Sequence, residues 1–243
     1  MLKHLIYASS LIVSTLFLTA CDKNKDAQQV HEQKQSSPIT ISYSDWPGSL
    51  VWEIAKEKGW FKEAGLDVDL VWMDYPASLQ AYTSGQLLGA SLVHGDNLTL
   101  VSQGVNSNII LVNSVSSGND VIIAKQGINN LQDLKGKNIA VEKGLFSDLM
   151  FTTAIEDAKI DFKDLNVVNA ATSELSMVFA TPSIDAVVLW QPYGLQALKA
   201  APGSKVIYDS TQKPGLIYDV LAVDMPNIEK RKDDWRNLIF GVG

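Results

Sequence analysis

The chain has 243 residues, 46% of them hydrophobic and 19% charged, with a formal net charge of −7. That composition leaves room for one large domain or two lobes of about 100–150 residues, and it excludes a fibrous or wholly disordered chain. The acidic balance argues against nucleic acid, whose phosphates are bound through Lys and Arg; the only arginines are Arg231 and Arg236.

Residues 1–20 read as an export signal. Lys3 gives a basic start, and Leu5 to Leu18 is an apolar run broken only by small residues and Tyr7. At 14 residues the run falls short of the roughly 20 that span a bilayer as a helix, and it ends in small residues, as a cleaved signal does. The end Leu18-Thr19-Ala20-Cys21 resembles the lipobox of bacterial lipoproteins. That resemblance implies lipidation of Cys21 and firm membrane anchoring by several acyl chains. It places the protein on the periplasmic side of the inner membrane, where Asp22 after the cysteine also points, or on the outer face of a Gram-positive cell membrane. Cys21 is the only cysteine, so no internal disulfide is expected. Residues 21–38 are polar, rich in Lys, Gln and Ser and without a hydrophobic period, and read as a flexible tether.

Ile39 to Tyr43 alternates as a strand, and Asp45-Trp46-Pro47-Gly48 is a turn. Leu50, Val51, Ile54 and Ala55 share one face of a helix that Gly59 stops. Val68 to Trp72 is a second strand. A helix is expected from Ser78 to Thr83, with Tyr75 before it, and Ala90 to Val93 is a third strand. Asp96 can cap the helix that follows, and Ile109 to Val112 is a fourth strand. The alternation restarts after Ser116-Ser117-Gly118-Asn119. Strands are expected at 121–124, 139–141, 165–168, 186–189 and 205–208. Between them lie a short helix from Leu131, a helical stripe of Phe151, Ala154, Ile155 and Ala158, a helix from Thr172 or Ser173, and a helix at Pro192. Ile217 to Val223 is a last strand, and Pro226 opens a last helix.

Strand alternating with helix predicts an α/β fold with mainly parallel sheets. The chain divides into lobe I (39–116 and 218–243) and lobe II (117–217), joined twice, which makes a hinged cleft. Ligands favour such interfaces and the carboxyl ends of strands.

The stretch Ser44-Asp45-Trp46-Pro47-Gly48 with Ala55 to Val68 resembles the substrate-binding proteins of nitrate/sulfonate/taurine-type ABC importers, a family that includes thiamine-pyrimidine-precursor binders. Ala81 to Gln86, Gly95-Asp96, Ser117 to Asp120, Leu131 to Gly144, Asp185-Ala186 and Trp190-Gln191-Pro192 continue the match in order, over roughly Ile39 to Trp235. The resemblance implies a two-lobed periplasmic-binding-protein-like fold of type II, a small-molecule ligand, an ABC permease with its ATPase as partner, and a monomer. Two departures stand out. Gly89 replaces an acidic residue common in relatives, and only one helix is expected after the return strand, where relatives add several. The second departure points to C-terminal truncation and to uncovered apolar surface on lobe I.

The resemblance places ligand between the loops after the strands. Trp46 is then an aromatic wall or lid packing, and Asp45 an acceptor or plain turn chemistry. Tyr75 and Ser78 sit at a helix start, where free N–H groups can receive a polar oxygen, although Ser78 is equally an ordinary cap. Gly95 and Asp96 follow the third strand after His94, which reads as structural. Glu142 is the leading acidic contact, beside Phe146. Trp190 stacks on a planar ligand or fills core, and Tyr193 and Tyr218 complete the set. Ser117, Gly118, Asn119 and Asp120 form the hinge. Asp45, Asp96, Asp120 and Glu142 without an Arg favour a cationic or donor-rich solute, such as an amine, an amidine or an aminopyrimidine.

No enzyme is expected. The one cysteine is assigned to the lipobox, one lone His in the folded part makes no triad, and no Gly-x-Ser-x-Gly, P-loop or His-Glu-x-x-His occurs. No metal site or cofactor is expected, since clustered Cys and His are absent. Two alternatives to import remain: a ligand-sensing receptor for a membrane signalling protein, and a truncated nonfunctional copy.

Overall fold

A computed structural model describes residues 37–241. The export signal, Cys21 and nearly all of the tether lie outside the described residues. The first elements are β1 (Ile39–Tyr43), α1 (Leu50–Lys58), α2 (Trp60–Glu63), β2 (Val68–Trp72), α3 (Tyr75–Thr83), β3 (Gly89–Val93), α4 (His94–Ser102) and β4 (Ser107–Val115). There follow β5 (Asp120–Ala124), β6 (Asn138–Val141), α5 (Phe146–Asp157), β7 (Asn166–Asn169), α6 (Thr172–Phe179), β8 (Ala186–Trp190), α7 (Tyr193–Ala200) and β9 (Lys205–Asp209). The chain then returns through β10 (Tyr218–Asp224) to α8 (Met225–Lys230) and α9 (Lys232–Gly241). Where one last helix was expected at Pro226, there are two, with Arg231 leaving helical geometry between them.

Two five-stranded sheets result, ordered β2-β1-β3-β10-β4 and β7-β6-β8-β5-β9. They are mixed, not mainly parallel. β1 runs parallel to β2 and β3, and β6 parallel to β7 and β8, but β10 is antiparallel to β3 and β4 and β5 is antiparallel to β8 and β9. The cause is connectivity. β5 and β10 are the strands by which the chain enters one sheet from the other, so each starts at the boundary where most of its neighbours end. Strand–helix alternation carries no record of this reversal.

The core follows the predicted periods with one exception. α5 buries Phe151, Ala154 and Ile155 as its stripe requires, and β3, β5 and β8 are buried along their whole length. In α1, however, Trp52 and Ala55 turn inward and pack among Ile39, Ile41 and Leu221, while Leu50, Val51 and Ile54 stay exposed. The short helix presents one stripe to the sheet, and the indole buries more apolar area there than any single one of the aliphatic side chains would. Exposed Ile109, Val112 and Val115 lie on β4, the edge strand of the first sheet.

Both crossings are tied together at the boundary. Ser116 N–H donates to the Ile217 carbonyl at 3.0 Å. The Ser116 and Ser210 hydroxyls meet at 2.9 Å, and Gly118 N–H donates to Ser210 Oγ at 2.7 Å. Gln191 N–H donates to the Asn119 carbonyl at 3.1 Å. Gly118 has φ +86°, a left-handed conformation that suits glycine. A Cβ there meets nothing closer than Thr211 Cγ2 at 3.7 Å, so Gly118→Ala carries a conformational cost without a clash. Urea unfolding should show it less stable by about 1–2 kcal/mol with an unchanged m-value.

Candidate functional site

The antiparallel crossings decide what reaches the boundary between the sheets. In register, Asp120 at the start of β5 lies opposite Trp190 at the end of β8. Asp219, second in β10, lies opposite Val93 at the end of β3. The amino ends of two strands and the carboxyl ends of their neighbours therefore share one edge.

An inner chamber opens there, lined from the first half by Ser44, Trp46, Ser49, Tyr75, Ser91, Val93 and Asp219, and from the second by Asp120, Phe146 and Trp190, with Ile217 from the return crossing. About 310 Å³ of space, part of it open to solvent, lies between the atoms there, so narrow that about 10 Å³ admits the centre of a water molecule. That is room for about one water. Aromatic rings close it from both sides. Trp46 meets Trp190 edge-on with centroids 5.8 Å apart, and Tyr75 meets Phe146 edge-on at 5.5 Å. Such pairs contribute roughly 0.5–1.5 kcal/mol each beyond their area.

An outer groove adjoins the chamber and shares Tyr75 and Trp190 with it. Its walls carry Asp45, Asp74 and Gln80 on the first half, and Glu142, Thr172, Ser173 and Tyr193 on the second. About 300 Å³ of it is open to water. Tyr193 OH donates to Asp45 Oδ2, a bond that joins the two halves across the groove. Burial, then this carboxylate, raises the Tyr193 pKa above its ordinary range, so the phenol stays protonated and able to donate. Glu142 Oε2 accepts from Thr172 Oγ1 at 2.7 Å and from Thr172 N–H at 3.2 Å.

Residues 47–233 match the family described as NMT1/THI5 like. The chain belongs to this family. It is 33% identical over 157 residues to a Brucella abortus protein named as a binding protein, a match covering 64% of this chain and 48% of that one. It is 28% identical over 217 residues to a Bacillus subtilis protein named as aliphatic sulfonates-binding, covering 81% of this chain and 60% of that protein. The chain thus spans about half the length of its Brucella relative. In fold it resembles the periplasmic aliphatic sulphonate binding protein SsuA from Escherichia coli, with TM-score 0.71, 21% identity, and coverage of 84% of this chain and 71% of that one. The periplasmic nitrate-binding protein NrtA from Synechocystis PCC 6803 gives the same TM-score at 11% identity, with 86% and 60% coverage.

Within this NMT1/THI5-like chain, Trp46, Tyr75, Phe146 and Trp190 line the chamber, and Asp45, Glu142 and Tyr193 line the groove. The other expected contacts line neither. Ser78 lies inside α3, which begins at Tyr75 rather than at Ser78; its hydroxyl bonds Ser42 Oγ at 2.6 Å. Pro76 in the first turn, with φ already set for a helix, explains the earlier start. Asp96 is likewise in the first turn of α4 and not its cap. It accepts the Tyr75 hydroxyl at 2.6 Å, while that hydroxyl accepts Val93 N–H at 2.9 Å. A Cβ on Gly95 would meet Leu149 of the other half at 3.4 Å, an ordinary contact, so Gly95 lies at the boundary between the halves. Tyr218 packs edge-on against His94 at 5.2 Å.

Among the lining residues that sequence reasoning missed, which include Ser44, Ser91, Asp74 and Thr172, Asp219 is the one that brings a buried carboxylate to the chamber. Tyr218 was chosen instead, and along a strand adjacent side chains point to opposite faces. The available signal was symmetry: Asp120 opens one crossing strand, and Asp219 stands near the opening of the other. Asp120, expected at the hinge and counted among the acidic residues of the cleft, lines the chamber.

Burial pushes the pKa of Asp120 up to about 7, despite a bond from Ser116 Oγ that works the other way. It pushes Asp219 up to about 6 against a Ser114 Oγ bond of 2.6 Å. It also pushes Asp96 up to about 6, partly offset by bonds from Tyr75 and the Phe146 backbone. Between the ordinary 3.8 and these values, the folded state holds protons that the unfolded chain has released. Stability therefore falls as pH rises through about 4 to 7. His94, whose pKa burial lowers, contributes in the opposite direction near its ordinary 6.5. Asp120→Asn isolates the first effect: chemical denaturation should find the variant more stable than wild type at pH 8, by on the order of 1–4 kcal/mol, with the gap closing toward pH 4.

Proposed function

We propose that this protein captures a small organic nitrogen- or sulfur-containing solute between its two halves and delivers it to an ABC importer, without transforming it. The observation that carries this reading is the chamber itself. Its walls come from both sheets, and the sheets are joined by two hydrogen-bonded crossings that can act as a hinge. A solute in the chamber would touch Trp46 and Tyr75 on one side and Phe146 and Trp190 on the other, and so would favour the closed arrangement of the halves. The names of the relatives, binding proteins for sulfonates among them, support the same class of role.

The rest of the reading follows from the sequence. The halves are two lobes, 39–116 with 218–243 and 117–217, hinged at Ser117 to Asp120. The partners are a permease and its ATPase. Lipidation at Cys21 holds a monomeric protein at the outer face of the inner membrane, or of a Gram-positive cell membrane. Among the described residues the chamber is lined by carboxylates and indoles with no nucleophile paired with a base, which favours recognition over catalysis.

A thermal-denaturation screen tests the reading with taurine, alkanesulfonates, nitrate, aminopyrimidines and small amines. A bound solute at one hundred times its Kd should stabilise the protein by about 2.7 kcal/mol, and Trp190→Ala should remove that gain while leaving a cooperative transition. Stabilisation that survives Trp190→Ala would move capture away from the chamber, and a cooperative transition that no compound shifts would count against solute capture.

A further inference from the structure

The chamber contains more buried negative charge than the chain compensates. Asp120 is 1% exposed and Asp219 is 6% exposed, and both line it. Asp120 Oδ2 accepts from Ser116 Oγ, but Asp120 Oδ1, equally buried, has no hydrogen-bond partner. Among the described residues, neither the chamber nor the adjoining groove has a Lys or Arg in its walls. A buried carboxylate is costly without a counter-charge, and an unpartnered oxygen adds to that cost. Trp46 and Trp190 both line the chamber, and an indole is the side chain that best attracts a cation. A sulfonate or carboxylate head in the same place would meet two acceptors and no donor of positive charge.

We propose that the inner chamber is a cation subsite, in which Asp120 Oδ1 and the Asp219 carboxylate accept N–H bonds from a protonated primary amine or an amidinium, with Trp46 and Trp190 beside it. The proposal rests on the solute-capture reading and names its ligand class. With room for about one water, the chamber as it stands suits an ammonium head, and an amidinium enters only as the halves part. Tyr75 and Trp190, common to both spaces, mark the path by which the rest of the molecule reaches the groove. There Asp45, Asp74 and Glu142 keep the walls acidic.

The test is a titration of the full chain in detergent, followed by tryptophan fluorescence and calorimetry, with butylammonium, benzamidinium and methanesulfonate as probes. A cation should bind at pH 8, and Asp120→Asn and Asp219→Asn should each weaken it at least tenfold. Lowering the pH to 5 should weaken it at least tenfold as well. Asp219 acts electrostatically on Asp120, and the hydroxyls of Ser114, Ser116 and Ser210 and the Trp46 indole beside them do not titrate in that range; Asp96, bonded to the chamber's Tyr75, does, and Asp96→Asn controls for it. His94→Gln controls for the nearby imidazole. Circular dichroism checks folding; if Asp120→Asn fails to fold, Asp219→Asn and the wild-type pH profile decide.

Cation binding that is indifferent to both substitutions and to pH overturns the subsite. Methanesulfonate binding with a tryptophan signal, and no cation binding, overturns the cation class while leaving solute capture standing. No binding by any of the three probes overturns the cation subsite, and the wider screen above then judges solute capture on its own.

Discussion

The arrangement depends on the chain crossing twice between its sheets and on each crossing opening a strand that runs against its neighbours. A strand that starts where others end brings its first side chains to their carboxyl edge. Asp120 meets Trp190 in this way and Asp219 meets Val93. Were β5 and β10 parallel to their partners, these carboxylates would sit at the far ends of the sheets. The serines of the crossings, Ser116 and Ser210, hold the two segments to each other, so the carboxylates inherit fixed positions from the same bonds that tie the halves.

Around this charged centre the chain places rings. Trp46, Tyr75, Phe146 and Trp190 belong to one apolar cluster that continues from Val93 and Val220 in the first sheet to Ile122 and Val188 in the second. Apolar burial is non-directional, so such a cluster can hold the halves together without fixing their exact angle. The directional contacts at the boundary are few. Among the described residues they include the serine bonds of the crossings, the bond from the Phe146 backbone to Asp96 and the Tyr193–Asp45 bond over the groove. A compliant aromatic seam with a small number of hydrogen bonds suits halves that part and close around a solute. The raised pKa values of Asp96, Asp120 and Asp219 record the cost of that design, since buried carboxylates are kept where packing alone would prefer apolar groups.

Most of the element order was legible from residue periods, because strand alternation and helical stripes are local properties of the chain. So were Trp46, Tyr75, Phe146, Trp190, Asp45, Glu142 and Tyr193 as residues near strand ends, which is where open α/β sheets present side chains. Family membership was also readable, from motifs in a shared order. The inward turn of Trp52 in α1, the start of α3 at Tyr75 and the split of the last helix were not, because each is settled by competition between side chains that periods treat as equal.

Sequence by itself determined the two α/β units, the acidic character of the cleft and the absence of arginine from it, because composition and local periodicity survive in any arrangement of the chain. Tertiary structure alone decided that Asp120 and Asp219 line one chamber, that Asp120 Oδ1 has no hydrogen-bond partner among the described residues, and that Ser78, Gly95, Asp96 and Tyr218 line neither the chamber nor the groove. Strand direction and one-residue register set these outcomes, and a register step of one residue turns a side chain to the opposite face of its sheet.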